Sequence, residues 1–339
     1  MIPHNRPTIG VEEAEAACRV LKSGWLSEGP EVESFENEFC KFIGLPKGHS
    51  VAVSSGTAAL FLSLWVLNGR GKKIAFPVYV CTAIRNAIGM VNGYESPLDV
   101  TKDSPNVDIH QLERIEADIK IIPHTYGIPI DLSGFPSSNV IEDCAQALGA
   151  KVNGKSVGLM GSLGIYSFYA TKLITSGGQG GMVISKDKNL VDAIRDYREF
   201  DYRHDNKDRF NFQMTDLQAA IGREQLRKLP AFLERRTQIF NRYKKAGLEV
   251  LDFIPNKTTS LHPARYRAVV KTKNPHEMID SLAFVGIEAK VPTEDWELLG
   301  NHVLFPNAMR LTRETVSLPI YPSLLDEDID KILSAVGNK

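Results

Sequence analysis

Lys172 closes an aromatic, β-prone run, residues 165–172 (IYSFYATK), and a glycine-rich stretch, 173–182 (LITSGGQGGM), follows it. A lysine carried to the end of a buried strand is desolvated, which favours the neutral, nucleophilic amine that imine chemistry needs. The glycines let backbone pass close to a flat ligand. The same pattern also describes a plain hairpin with an exposed lysine at its end. Two other stretches bear on the choice. Residues 51–54 (VAVS) read as a short buried strand leading straight into 55–65 (SGTAALFLSLW), a helix whose start offers free N–H groups, a positive dipole end and hydroxyls. Such a start suits a phosphate, although serine and threonine also cap helices routinely. Residues 140–143 (VIED) read as a strand ending in an acid, Asp143, with Gln146 one turn further on.

An amine at Lys172, a phosphate cradle at Gly56 and Thr57, and an acid at Asp143 are together the fittings for pyridoxal phosphate. The lysine forms an imine with the cofactor aldehyde. The carboxylate keeps the pyridine nitrogen protonated, so that the ring accepts electrons from a breaking Cα–H bond. Ser167 lies where its hydroxyl reaches the same phosphate, and Gln146 where its amide reaches the phenolic oxygen. Once substrate displaces it, the Lys172 amine is free to carry a proton between substrate Cα and the cofactor's C4′.

The elements around these residues alternate. Helices are expected over 11–22, 32–42, 55–65 and 82–89, and strands over 51–54, 73–76, 119–122 and 140–143. This α/β alternation predicts a mainly parallel sheet covered on both faces, with ligands at the C-terminal strand ends. Trp25 lies in a turn and is expected to pack on a helix, and residues 196–209, dense in both signs of charge, read as a solvated loop. Helices over 214–229 and 231–243 then lead to a smaller α+β region with strands over 266–270 and 288–291 and helices over 278–284 and 326–335. The division is placed near 225–235, giving a large domain, 1–228, and a small one, 229–339.

The 339 residues include 40 Lys plus Arg against 41 Asp plus Glu, a formal net charge of −1. That balance points to no nucleic acid and no membrane surface as partner. No apolar run reaches the roughly 18 residues of a membrane span. Cys18, Cys40, Cys81 and Cys144 are widely spaced, and with no secretory signal they read as reduced thiols in a cytoplasmic protein. HExxH, G-x-S-x-G, Walker and strand-bound G-x-G-x-x-G motifs are absent, and no metal site is expected. Of the 8 histidines, His124 alone falls at an expected strand end, where it reads as a pocket wall.

Residues 54–60 (SSGTAAL), 141–147 (IEDCAQA) and 167–172 (SFYATK) resemble the DegT/StrS-type sugar aminotransferases, as do 23–30 (SGWLSEGP), 211–222 (NFQMTDLQAAIG) and 317–322 (SLPIYP). The resemblance spans nearly the whole chain. It implies the three-layer α/β/α fold type I of pyridoxal-phosphate transferases and a homodimer with active sites at its interface. It also implies L-glutamate as donor and a keto-sugar, nucleotide-linked, as acceptor in amino-sugar, cell-surface polysaccharide or lipopolysaccharide synthesis. Lys172 becomes the Schiff-base lysine, Asp143 the partner of the ring nitrogen, Gly56, Thr57 and Ser167 the phosphate ligands, and Asn211 the residue reaching the partner subunit's phosphate. Retention of Lys172 counts against the dehydratase branch of the fold, whose members carry histidine there. A cyclitol or other cyclic ketone as acceptor, and a non-catalytic cofactor-binding regulator, are the alternatives.

The chain departs from the family pattern in four places. Gln213 stands where an arginine is usual, removing a bidentate anion contact. The glycine segment is one residue longer and lacks an acid. Cys81 replaces an aromatic ring over the cofactor, with Tyr79 a candidate substitute. The histidine-containing substrate segment is shortened to 290–296 (KVPTEDW).

Overall fold

A computed structural model describes residues 1–253, 258–301 and 303–337. The strands are β1 (Ser50–Val53), β2 (Lys73–Pro77), β3 (Tyr94–Leu98), β4 (Ile119–Pro123), β5 (Val140–Asp143), β6 (Lys151–Val152), β7 (Lys155–Ser156), β8 (Leu163–Ser167), β9 (Gly181–Ile184), β10 (Leu261–His262), β11 (Ala268–Lys271) and β12 (Thr315–Leu318). The helices are α1 (Val11–Ser23), α2 (Pro30–Ile43), α3 (Gly56–Val66), α4 (Ala83–Met90), α5 (Ile109–Arg114), α6 (Lys188–Arg198), α7 (Asp216–Lys245), α8 (Pro275–Phe284), α9 (Pro306–Glu314) and α10 (Asp326–Gly337).

Seven strands form the main sheet in the order β1-β9-β8-β5-β4-β2-β3. The pairs β2–β3, β2–β4, β4–β5 and β5–β8 are parallel, whereas β9 runs antiparallel to both β1 and β8. One apolar layer joins the sheet to α3, α4 and α6 through residues such as Leu60, Ile84 and Ile194. A second joins its other face to α2 and the first half of α7 through Phe35, Phe39, Leu226 and Leu229. Helix α3 is apolar all round because it lies inside the first layer rather than at its surface. The result is the three-layer α/β/α arrangement expected from the alternation.

The connectivity delivers four chain ends to one rim. Strands β5 and β8 are parallel with Asp143 opposite Ile165, so both end on that side. Strand β1 ends there at Val53 opposite Gly181, the first residue of antiparallel β9. Helix α3 and the loop 168–180 therefore begin side by side. Lys172 is not at the end of a strand, as its sequence context suggests, but within this loop. The reason is that β8 stops at Ser167 and its partner β9 does not begin until Gly181. The loop is braced internally by Phe168 N–H to Gly180 O at 2.8 Å and Ala170 N–H to Gly178 O at 3.0 Å. Asn5 Nδ2 also donates to Thr171 O at 3.0 Å, pinning the loop from the N-terminal segment.

Other expectations need correction. The two helices foreseen around residue 230 are one continuous helix of 30 residues with Pro230 inside it. Proline costs a hydrogen bond there, but the two halves are each buried, Leu226 and Leu229 in the sheet's core and Ile239, Phe240 and Tyr243 in a C-terminal core. The 228/229 division falls inside this helix. Residues 288–291 make only a bridge, with Lys290 opposite Ser317, since Pro292 cannot extend a ladder. The solvated loop expected from 196 starts instead as the last turn of α6, where Arg198 is buried against Glu28 and Glu36. Trp25 is exposed, its Nε1–H donating to Glu28 O at 2.9 Å.

His124 is not a pocket wall. It is fully buried, and its Nδ1 accepts from Ile130 N–H at 3.0 Å, which places the ring proton on Nε2 facing Glu142 Oε2 at 3.0 Å. Glu142 also accepts from the amides of Gly158, Met160 and Gly161 at 2.8, 2.6 and 2.7 Å. Burial alone would push this carboxyl up, but His124 and the amides outweigh it and hold it below the usual range. His124, Glu142 and Cys144 approach within 4.8 Å, close enough for a metal, yet the His124 and Glu142 donor atoms are committed to protein partners. Replacing Glu142 by leucine would strand four donors. Chemical denaturation of Glu142→Leu is expected to show a loss of roughly 3–5 kcal/mol; a loss under about 1 kcal/mol would contradict this reading.

Candidate active site

A cavity of about 610 Å³ opens at the rim. Gly56, Thr57, Asp143, Gln146, Ser167 and Lys172 all line it, so six of the residues singled out from sequence share one wall system. Asn211 does not. It is exposed, with Oδ1 accepting from Gln213 N–H at 3.1 Å.

The start of α3 is built as an anion seat. Ser55 caps the helix, Oγ taking Ala58 N–H at 3.1 Å and its carbonyl taking Ala59 N–H at 3.0 Å. The Gly56 and Thr57 amides are left with no protein acceptor among the described residues. Gly56 is required by proximity: a Cβ there would lie 2.8 Å from Ser167 Cβ and 3.0 Å from its Oγ. Gly181 is required too, since its Cβ would lie 2.4 Å from Ser55 O. Helix start, serine and lysine loop thus fit together only through two missing methyl groups.

Asp143 is half-buried, with Oδ1 accepting from Ala145 N–H at 2.9 Å. Burial raises its pKa, against the opposing pull of the Ala145 amide, Lys172 and His124. It makes no ion pair among the described residues, so a cation brought to it is favoured. Gln146 Oε1 accepts from Tyr126 N–H at 2.7 Å, which leaves the amide NH2 as a donor for the cavity. The buried Thr125 hydroxyl lines the same space with no partner, an orphan a ligand can satisfy. These groups fit pyridoxal phosphate: an anion seat for its phosphate, a carboxylate for its ring nitrogen, a donor for its phenolic oxygen, and an amine.

The Lys172 amine lies over the Tyr266 ring, 5.2 Å from its centroid. Tyr266 is buried, which alone would raise its pKa, but Lys172, Arg267 and Arg236 together draw it down to about 8. Tyr79 and Tyr126 pair their hydroxyls at 2.7 Å, and burial raises both phenols. Tyr79 and Cys81 both line the cavity, Tyr79 with its hydroxyl held by Tyr126.

Thr125, Tyr126, Tyr266 and Arg267 also line the cavity but were not singled out from the sequence, and Lys290 was noted only as the start of the segment 290–296. They enter from the single 3-10 turn Thr125–Gly127 after β4 and from the C-terminal region, and only tertiary packing brings them to the rim. The one local signal was the sequence PHTYG after β4, a proline-to-glycine break at a strand end.

Residues 7–337 match the family described as the DegT/DnrJ/EryC1/StrS aminotransferase family. The chain belongs to this family. It is a pyridoxal-phosphate-dependent aminotransferase. Among its relatives is the spore coat polysaccharide biosynthesis protein SpsC of Bacillus subtilis (strain 168), 29% identical, the match covering 99% of this chain and 96% of that protein. The aminotransferase TlmJ from Streptoalloteichus hindustanus superimposes with a TM-score of 0.90 at 27% identity, covering 100% of this chain and 98% of that one. DesV of S. venezuelae, solved with a ketimine intermediate, gives 0.87 at 28% identity, covering 97% and 94%.

Because its pKa falls below the ordinary 10.0, Tyr266 favours the folded state fully only above pH 10, and that contribution is lost as pH falls through about 8. Ultraviolet difference titration should therefore detect one phenol ionising near pH 8. The component should vanish in Tyr266→Phe and move upward in Lys172→Ala. An unchanged titration in both variants would contradict the assignment.

Proposed function

We propose that this family member transfers the amino group of L-glutamate to a nucleotide-linked keto-sugar, as a cytoplasmic homodimer, in the synthesis of an amino-sugar-containing cell-surface polysaccharide. The observation that carries the reading is the meeting of Lys172, Asp143 and the open start of α3 in one cavity. When bound, the cofactor supplies the electron sink for breaking and remaking the substrate Cα–H bond.

The protein's own part is positional. Gly56 and Thr57 amides and Ser167 hold the phosphate end, Asp143 keeps a proton on the ring nitrogen, and Gln146 donates to the phenolic oxygen. The cavity wall at Tyr266 keeps the Lys172 amine close to the reacting carbon, where it takes and returns the proton. Asn211, outside this cavity, is proposed to reach the partner subunit's phosphate.

Two observations support a sugar acceptor. SpsC is named for polysaccharide biosynthesis. The cavity, at about 610 Å³ and lined by both polar and apolar groups, has room for the cofactor and a hexose ring. The test is a two-step assay on protein loaded with pyridoxal phosphate. L-Glutamate should release one 2-oxoglutarate per active site, and a nucleotide-linked keto-sugar should then return the site to its starting spectrum with formation of the amino sugar. Release of no 2-oxoglutarate, with another amino acid reacting instead, would overturn the donor. Full reaction with glutamate but none with any nucleotide-linked keto-sugar would overturn the acceptor.

A further inference from the structure

We propose that Arg267 and Lys290 form the seat for a carboxylate of the amino-acid donor, a role that Gln213 cannot fill in this chain. The inference rests on the aminotransferase reading of the cavity and deepens it.

Both side chains line the cavity that holds Lys172 and Asp143. They reach it from the C-terminal region and are joined through Ser317. Lys290 exchanges backbone hydrogen bonds with Ser317 at 3.3 and 2.8 Å, and Arg267 Nη1 lies 3.4 Å from Ser317 Oγ. Two cations are thereby held near each other. Neither forms an ion pair among the described residues, in contrast to Arg198, Arg209, Arg223 and Arg265, each locked to carboxylates.

The acids nearest to Lys290, Glu288 and Glu297, pull against its lowered pKa but form no ion pair with either cation. Glu288 accepts from His4 N–H at 3.1 Å, and Glu297 accepts from Glu294 N–H at 2.8 Å. Burial, with the Arg267 charge, lowers the Lys290 pKa, and burial with both cations drives His4 down to about 2. His4 is therefore neutral and adds no charge of its own. Arg267 and Lys290 thus face the cavity with donors that no carboxylate among the described residues takes up in an ion pair, which suits an incoming anion.

The guanidinium and the lysine amine share one aromatic neighbour. Arg267 Cζ lies 5.5 Å from the centroid of the Tyr266 ring, the same ring that Lys172 Nζ approaches at 5.2 Å. A carboxylate seated on the guanidinium would therefore lie in the same cavity as the Lys172 amine. A planar guanidinium binds such a carboxylate bidentately, with the ammonium as a second point charge. The competing source of the same anionic chemistry is the phosphate of a nucleotide-linked acceptor, and the experiment separates the two.

Binding to the cofactor-loaded protein is measured by titration calorimetry with glutarate, an unreactive dicarboxylate, and separately with inorganic pyrophosphate. Arg267→Gln and Lys290→Gln are each expected to weaken glutarate roughly tenfold or more, with Arg267→Lys intermediate. Gln213→Ala is expected to leave glutarate affinity unchanged, and cofactor affinity should stay constant in all variants. Unchanged glutarate binding, or weakening confined to pyrophosphate, would overturn the proposal, as would loss of cofactor affinity. Because no turnover is needed, glutarate binding that depends on both residues sustains the seat even where glutamate fails as a donor, and failure of the seat leaves the transfer assay free to succeed.

Discussion

A carboxylate held half-buried at the rim of the sheet without a cation of its own is the constraint on which the site depends. Asp143 has one fixed donor, the Ala145 amide, and the strand geometry that places it gives the next residue inward, Glu142, to the opposite side and a complete set of partners. Adjacent acids on one strand therefore have opposite fates. Glu142 is satisfied by protein and fastens the chain at 158–161, whereas Asp143 is left able to accept a protonated ring. That asymmetry leaves one acid at the strand end open to a cation while the fully paired residue holds the strand in place.

The second constraint is closeness. The lysine loop, Ser167 and the start of α3 meet where Gly56 and Gly181 have no side chain, and one added methyl at either position would intrude on a neighbour by more than ordinary packing permits. The β8–β9 antiparallel pair makes this possible, because it returns the chain from Lys172 directly to β1, whose continuation is the anion seat. A sheet with only parallel strands would need a crossover helix in place of this short return.

Much of this was legible in the sequence, and the failures have physical causes. The strand–helix step at 51–65 and the acid at 143 could be read because both are local: a short apolar run, a capping serine, a strand end. Lys172 was found although its setting was misjudged, since β-propensity continues past Ser167 while strand pairing does not. The two helices expected over 214–229 and 231–243 are one, because burial of both halves outweighs the hydrogen bond lost at Pro230. His124 looked like a wall residue because its partner, Glu142, becomes its neighbour only when β4 and β5 pair. Arg267 and Tyr266 carried no local mark, Lys290 was noticed only as the first residue of the segment 290–296, and Asn211, singled out through likeness to relatives, lies outside the cavity. The residues proposed to hold the cofactor lie beside local sequence signals, whereas those proposed to face the substrate come from distant segments.

The central claim is that Lys172 is the residue to which the cofactor is covalently joined. Borohydride reduction of the loaded protein, followed by proteolysis and mass spectrometry, tests it most directly. The account predicts a single pyridoxyl-modified peptide carrying the label on Lys172. Label on another lysine, or no stable label in protein that has turned yellow with cofactor, would contradict it.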